Sequence, residues 1–94
     1  MNQLYLTKLL SLLDKAENLV SKFRGGYSGQ FSSAEEFHHT LRKSISSLKE
    51  GDYSQLDRLN IWFLPTSCWD DFTGIEGQEL GNQISEHLSA STDK

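Results

Sequence analysis

Leu59-Asn60-Ile61-Trp62-Phe63-Leu64-Pro65-Thr66-Ser67-Cys68-Trp69-Asp70-Asp71-Phe72-Thr73-Gly74-Ile75-Glu76-Gly77 is the stretch on which the fold turns. It holds both tryptophans, two of the five phenylalanines, the only proline and the only cysteine. Its first half, Ile61-Trp62-Phe63-Leu64, has β propensity and would make a strand if a partner strand existed. No other segment reads convincingly as a strand, so the run is assigned to a helix that ends before Pro65, because proline disfavours helical geometry in the residue ahead of it. Pro65 to Cys68 then reads as a turn, with Asp70-Asp71 as turn-forming acids and Thr73-Gly74 closing the connection. The chain is thereby expected to be all-α, a single four-helix domain.

Outward from this stretch, the N-terminal side supplies the clearest helices. From residue 4 to 24, Leu6, Leu9, Leu10, Leu13, Ala16 and Val20 fall at helical spacing, and Leu12, Leu19 and Phe23 widen the stripe, as for a helix buried against more than one neighbour. Lys22 and Arg24 suit a helix C-terminus, and Gly25-Gly26 stops it. Tyr27 and Phe31 are expected to pin the connection to the core. The second helix, 33–49, carries one narrow stripe of Ala34, Phe37, Leu41, Ile45 and Leu48. Ser32/Glu35 and Ser33/Glu36 both satisfy the capping-box pattern at its start. Gly51-Asp52 makes a helix–helix turn, with Asp52 and Gln55 as the caps of a third helix over 53–63.

On the other side, residues 75–89 read as a fourth helix with Ile75, Leu80, Ile84 and Leu88 as its stripe. Gly77 and Gly81 lie inside it. Each costs about 1 kcal/mol relative to alanine, which asks for a reason. The reason inferred is close approach: Trp62, Trp69 or a facing backbone lies directly on the helix there. Residues 90–94 are read as a frayed tail.

Ninety-four residues can bury one modest core. One cysteine forms no internal disulfide and points to a reducing compartment. The first residues lack a basic run and a membrane-length apolar run, so the expectation is a cytoplasmic protein. The net charge of −4 conceals an asymmetry. Residues 1–49 hold seven Lys/Arg against four Asp/Glu, whereas residues 50–94 hold two against nine. No basic residue occurs from Leu59 to Asp93. Such a field repels phosphate backbones and attracts cationic surfaces, so nucleic acid is not the expected partner of this half, and without a membrane-length apolar run neither is a membrane.

Chemistry-bearing residues are few. His38 and His39 are adjacent, about 100° apart on a helix, not at the i, i+4 spacing of a helical metal site. Cys68 lacks any nucleophile signature and reads as a small hydrophobe. The sequence carries no catalytic, cofactor-binding or metal motif, and the expectation is a non-enzyme. A metal protein or enzyme built from Cys68, His38, His39 or His87 with Asp70 and Asp71 is the third reading, after the two binding readings below.

Phe63-Leu64-Pro65, then Asp70-Asp71, then Gly74-Ile75, with Glu35-Glu36 opening the second helix, resembles the small acidic immunity proteins that protect bacteria from DNase-type colicins. Asn60 stands where that family has Asp, and Phe63 and Leu64 replace its two tyrosines, so the family's binding hydroxyls and its particular partner are not carried over. The run from Pro65-Thr66 through Trp69-Asp70-Asp71-Phe72 to Gly77 and Leu80-Gly81 is also similar to small bacterial proteins encoded near secreted toxins. The resemblance implies a protein that neutralises a basic toxin. Asp70, Asp71, Glu76 and Glu79 would supply the field, and Trp62, Trp69 and Phe72 would anchor the partner. The alternative is a homodimeric or larger structural or regulatory domain whose aromatic patch packs on itself.

Overall fold

A computed structural model describes residues 3–26, 31–64 and 67–92, with the side chains of residues 90–92 outside the description. Among the described residues the chain forms four helices, α1 (Gln3–Val20), α2 (Ala34–Lys49), α3 (Gln55–Phe63) and α4 (Cys68–Thr92). The all-α expectation holds. Ile61–Phe63 is helical, and Leu64 is extended (φ −63°, ψ 149°), the conformation that a following proline imposes. α4 packs on both α1 and α3, and α2 packs on α1 and α3 from the other side, which closes a ring of neighbours.

The core is where the stripes meet. Leu9, Leu12, Leu13, Ala16 and Val20 of α1 and Ala34, Phe37, Leu41, Ile45 and Leu48 of α2 are buried. Six aromatic rings lie at its centre. Phe31 meets Phe37, Trp62 and Phe72 edge-on, and Phe37 also touches Trp62, Trp69 and Phe72. Phe63 lies 4.9 Å from Trp69, centroid to centroid. Such pairs add about 0.5–1.5 kcal/mol each beyond the area they bury. Phe31 pins the α1–α2 connection as expected, whereas Tyr27 lies outside the described residues.

The helix ends differ from expectation in instructive ways. α1 stops at Val20, four residues short of Arg24. Lys22 and Phe23 donate to carbonyls three residues back, and the Ser21 hydroxyl takes the Asn18 carbonyl, so the last turn tightens instead of continuing. The connection is then clasped to α2. Ala34 N donates to Gly25 O (2.6 Å), and Gly25 N donates to Glu35 Oε1 (2.8 Å). Ser33 is the N-cap, accepting from Glu36 N, but Glu36 reaches back to the amide and hydroxyl of Ser32, one residue earlier than in a regular box. Of the two overlapping boxes, one Glu therefore caps and the other clasps. The Gly25 amide holds Glu35 below the ordinary carboxylate range, and the Ser32 amide does the same for Glu36.

Asp52 is not the N-cap of α3. It forms a turn ahead of it, accepting from Ser54 and from Gln55 Nε2. The Ser54 hydroxyl holds its carboxyl low. Gln55 in turn accepts from the buried Ser44 hydroxyl (2.7 Å), which ties α3 to α2. α1 and α2 run antiparallel. Glu17 meets His38 (2.5 Å) with Arg42 3.9 Å away, and Asp14 meets Lys49 at 3.5 Å. At the far end His87 of α4 stacks on Tyr5 of α1 and bonds its carbonyl.

Candidate protein-docking surface

α4 decides what the acidic half presents. The expectation of a turn at Asp70–Phe72 is corrected: Cys68 to Thr73 is helical, and the break lies at Gly74 (φ 59°, ψ −142°). The Pro65-Thr66 part of the expected turn lies outside the described residues. Asp71 N donates to Ser67 O, so Asp70 and Asp71 occupy the first helical turn, where carboxylates favour the positive end of the helix dipole. The acids that read as turn formers are thus acids of a helix start.

Gly74 folds the two parts of α4 onto each other. In a straight helix residues 69 and 81 would stand ~18 Å apart, out of reach of one indole. Here a Cβ built on Gly81 would fall 2.5 Å from Trp69 Cδ1 and 2.6 Å from its Nε1, and one on Gly77 would fall 3.0 Å from Cζ2. The indole N–H donates to Gly77 O at 2.7 Å, and the Thr73 hydroxyl, buried beside it, donates to Trp69 O. Gly77 and Gly81 are the landing place inferred for a large ring, and Trp69 is the ring.

This packing removes three residues from the candidate surface. Trp69 is fully buried, Trp62 is 3% exposed and Phe72 is 8% exposed. All three are core residues, so none offers an exposed ring as a partner anchor: the elbow turns Trp69 and Phe72 of α4 inward against Phe37 and Phe63, and Trp62 of α3 packs on Phe31 and Phe37. Phe72 is also covered by the α1–α2 connection, 3.5 Å from where a Gly26 Cβ would be.

The elbow exchanges them for a residue that sequence reading had placed inside. Ile75 is 90% exposed. The non-helical Gly74 resets the phase of the stripe, so Gly77, Gly81, Ile84 and Leu88 face inward in place of Ile75, with Leu80 half-buried. The signal in the sequence was Gly74 itself, immediately before Ile75. Asp71, Glu76 and Glu79 are exposed and Asp70 is half-buried. Glu79 follows Ile75 by four residues on one helical face. Glu86, further along, lines a groove with Lys8 and Lys15 of α1. Exposed carboxylates are gathered at the elbow, where Asp71, Glu76 and Glu79 stand close in sequence to Ile75.

The residues of the third reading are dispersed. His38 is engaged by Glu17, His87 by Tyr5, His39 is exposed, and Cys68 is half-buried against the core. Among the described residues no three of His, Cys, Asp or Glu are grouped to hold a metal ion. No described helix is long and apolar enough to cross a membrane.

Comparison with protein-family models, with curated proteins and with solved structures finds no match for this chain.

Proposed function

We propose that this chain is a non-catalytic binding protein of the immunity type, which neutralises a basic protein toxin in the bacterial cytoplasm. The reading is carried by one observation. A 90%-exposed isoleucine stands among exposed carboxylates, on a segment with no basic residue from Leu59 to Asp93. Burying an isoleucine is worth about 1.5–3 kcal/mol, and leaving it in water wastes that amount. Carboxylates around it would steer a cationic partner and Ile75 would hold it, a division of labour common at protein interfaces. Asp71, Glu76 and Glu79 form the proposed rim, with Asp70 behind them in the first turn.

The test is protection. The chain is co-expressed with the product of the reading frame beside its gene, as wild type and with Asp71→Lys, Glu76→Lys and Glu79→Lys together. Loss of protection by a folded variant supports the proposal, and full protection by it defeats the electrostatic part. Self-association is the second reading. Its aromatic patch is in the core, but Ile61 (59% exposed) and Leu64 (41% exposed) stand out from the last turn of α3. Sedimentation decides between the two: a dimer that Ile61→Asp dissociates, with no partner bound, favours self-association.

A further inference from the structure

One groove has the opposite chemistry. It lies between α2 and α3 and holds about 220 Å³. Its α2 wall is a helical stripe at i, i+4 and i+8, His39, Lys43 and Ser47, with Thr40 beside it, and its α3 wall carries Arg58. The floor is the Ser44–Gln55 hydrogen bond, which fixes the two walls against each other. No carboxylate lines this groove, unlike the grooves at α1–α2 (Asp14, Glu17), α1–α4 (Glu86) and the outer side of α3 (Asp57).

The donors in it are uncommitted. Among the described residues, the side chains of His39, Thr40, Lys43 and Ser47 have no hydrogen-bond or ion-pair partner. Arg58 is held by the Trp62 ring, its Cζ 6.0 Å from the ring centroid, and forms no ion pair among the described residues. The carboxylate that feels Arg58, Asp52, has both oxygens occupied by Ser54 and Gln55. Lys43, the His39 imidazole and the hydroxyls of Thr40 and Ser47 therefore line one concavity, and Arg58 stands on the ridge that it shares with the outer groove of α3.

We infer that this α2–α3 groove binds a phosphate group, free or as a small phosphomonoester. A guanidinium fork and an ammonium supply charge-assisted bonds to the oxygens that point outward, and the hydroxyls of Thr40 and Ser47 take the others. A tetrahedral dianion has enough acceptors for all of them, whereas a carboxylate does not. The groove is separate from the acidic elbow and does not depend on the proposed function.

The test is a titration of ¹⁵N-labelled protein with inorganic phosphate, chloride being replaced at constant ionic strength. Exposed charges are screened by salt, so a dissociation constant on the order of millimolar is expected. The amide shifts should centre on residues 39–47 and 55–58 and saturate together. Lys43→Ala with Arg58→Ala should weaken binding by at least about tenfold, since both charge-assisted donors are lost. Lys43→Ala alone, which leaves the Trp62 contact intact, should weaken it by a smaller factor at an unchanged helical spectrum. Phenyl phosphate titrated in parallel identifies the source. Tighter binding than inorganic phosphate assigns an esterified phosphate, and equal or weaker binding assigns the free anion. Shifts spread evenly over the surface lysines, or a double variant that titrates like the wild type, would overturn the inference.

Discussion

Gly81→Ala is the substitution for which general rules and this structure disagree in sign. Inside a helix, alanine is favoured over glycine by about 1 kcal/mol, so an unobstructed Gly81→Ala would stabilise the protein. The structure says otherwise. The new methyl would sit 2.5 Å from Trp69 Cδ1 and 2.6 Å from Nε1. The indole cannot swing away cheaply. It is fully buried, its N–H is bonded to Gly77 O, and Phe63 lies 4.9 Å from it. Overpacking a filled core costs about 1–3 kcal/mol. The net expectation is a loss of about 1 kcal/mol, from a total stability of roughly 5–14 kcal/mol at this length. The assay is urea unfolding followed by circular dichroism at 25 °C. With a slope near ~1 kcal/mol per molar, the midpoint should fall by about 1 M.

A double-mutant cycle separates the clash from any other effect. Trp69→Val keeps only atoms out to Cγ, and Trp69 Cγ stands 3.6 Å from the Gly81 methyl position, an ordinary contact. In that weaker background Gly81→Ala should gain its propensity advantage, giving a coupling of about 2 kcal/mol. A Gly81→Ala protein more stable than the wild type, with no change of sign in the Trp69→Val background, would refute the elbow packing.

Other substitutions probe the remaining devices. Gly74→Ala meets nothing within 4 Å, so its cost is purely that of φ 59°, ψ −142°, about 1–3 kcal/mol by thermal or urea unfolding. Ser33→Ala removes the acceptor of Glu36 N and should cost about 1 kcal/mol, partly restored by Ser33→Asp. Acid unfolding follows from the three depressed carboxyls, Glu35, Glu36 and Asp52. Their folded pKa values lie below the ordinary 4.5, 4.5 and 3.8, so their stabilisation is complete above those values. It is lost as the pH falls through the lower folded values, where the native state must take up protons. Melting temperature measured from pH 6 to pH 2 should therefore decline most steeply below about pH 4.5, and Glu35→Gln with Glu36→Gln should flatten that decline.

How much of this was legible depended on whether a signal was local. The α2 stripe of Ala34, Phe37, Leu41, Ile45 and Leu48 is narrow and regular, and all five residues are buried. The need for a large ring on Gly77 and Gly81 was legible too, because interior helix glycines carry a cost that packing must offset. The start of α4 was not. Proline, two aspartates and a Thr-Gly pair are turn residues by composition, yet aspartate serves a helix N-terminus equally well, and only the geometry distinguishes the two uses. The error propagated. With everything from Pro65 to Gly74 read as connection and the helix begun at residue 75, instead of a helix from Cys68 broken at Gly74, the tryptophan looked available to a partner and Ile75 looked buried. The structure reverses both, because one glycine turns the chain between them.

The proposed contact is between the acidic elbow of α4 and a basic protein, with Ile75 at its centre. The most direct measurement is the association rate of the chain with the adjacent gene's product at about 50 and 300 mM salt, for the wild type, Glu76→Lys with Glu79→Lys, and Ile75→Ala. Screening should slow wild-type association by about tenfold or more across that range. The charge reversal should associate slowly at both salts, and Ile75→Ala should associate normally but dissociate faster by about tenfold or more, in line with the ~1.5–3 kcal/mol carried by a buried isoleucine. Equal rates for all three proteins at both salts would contradict the claim.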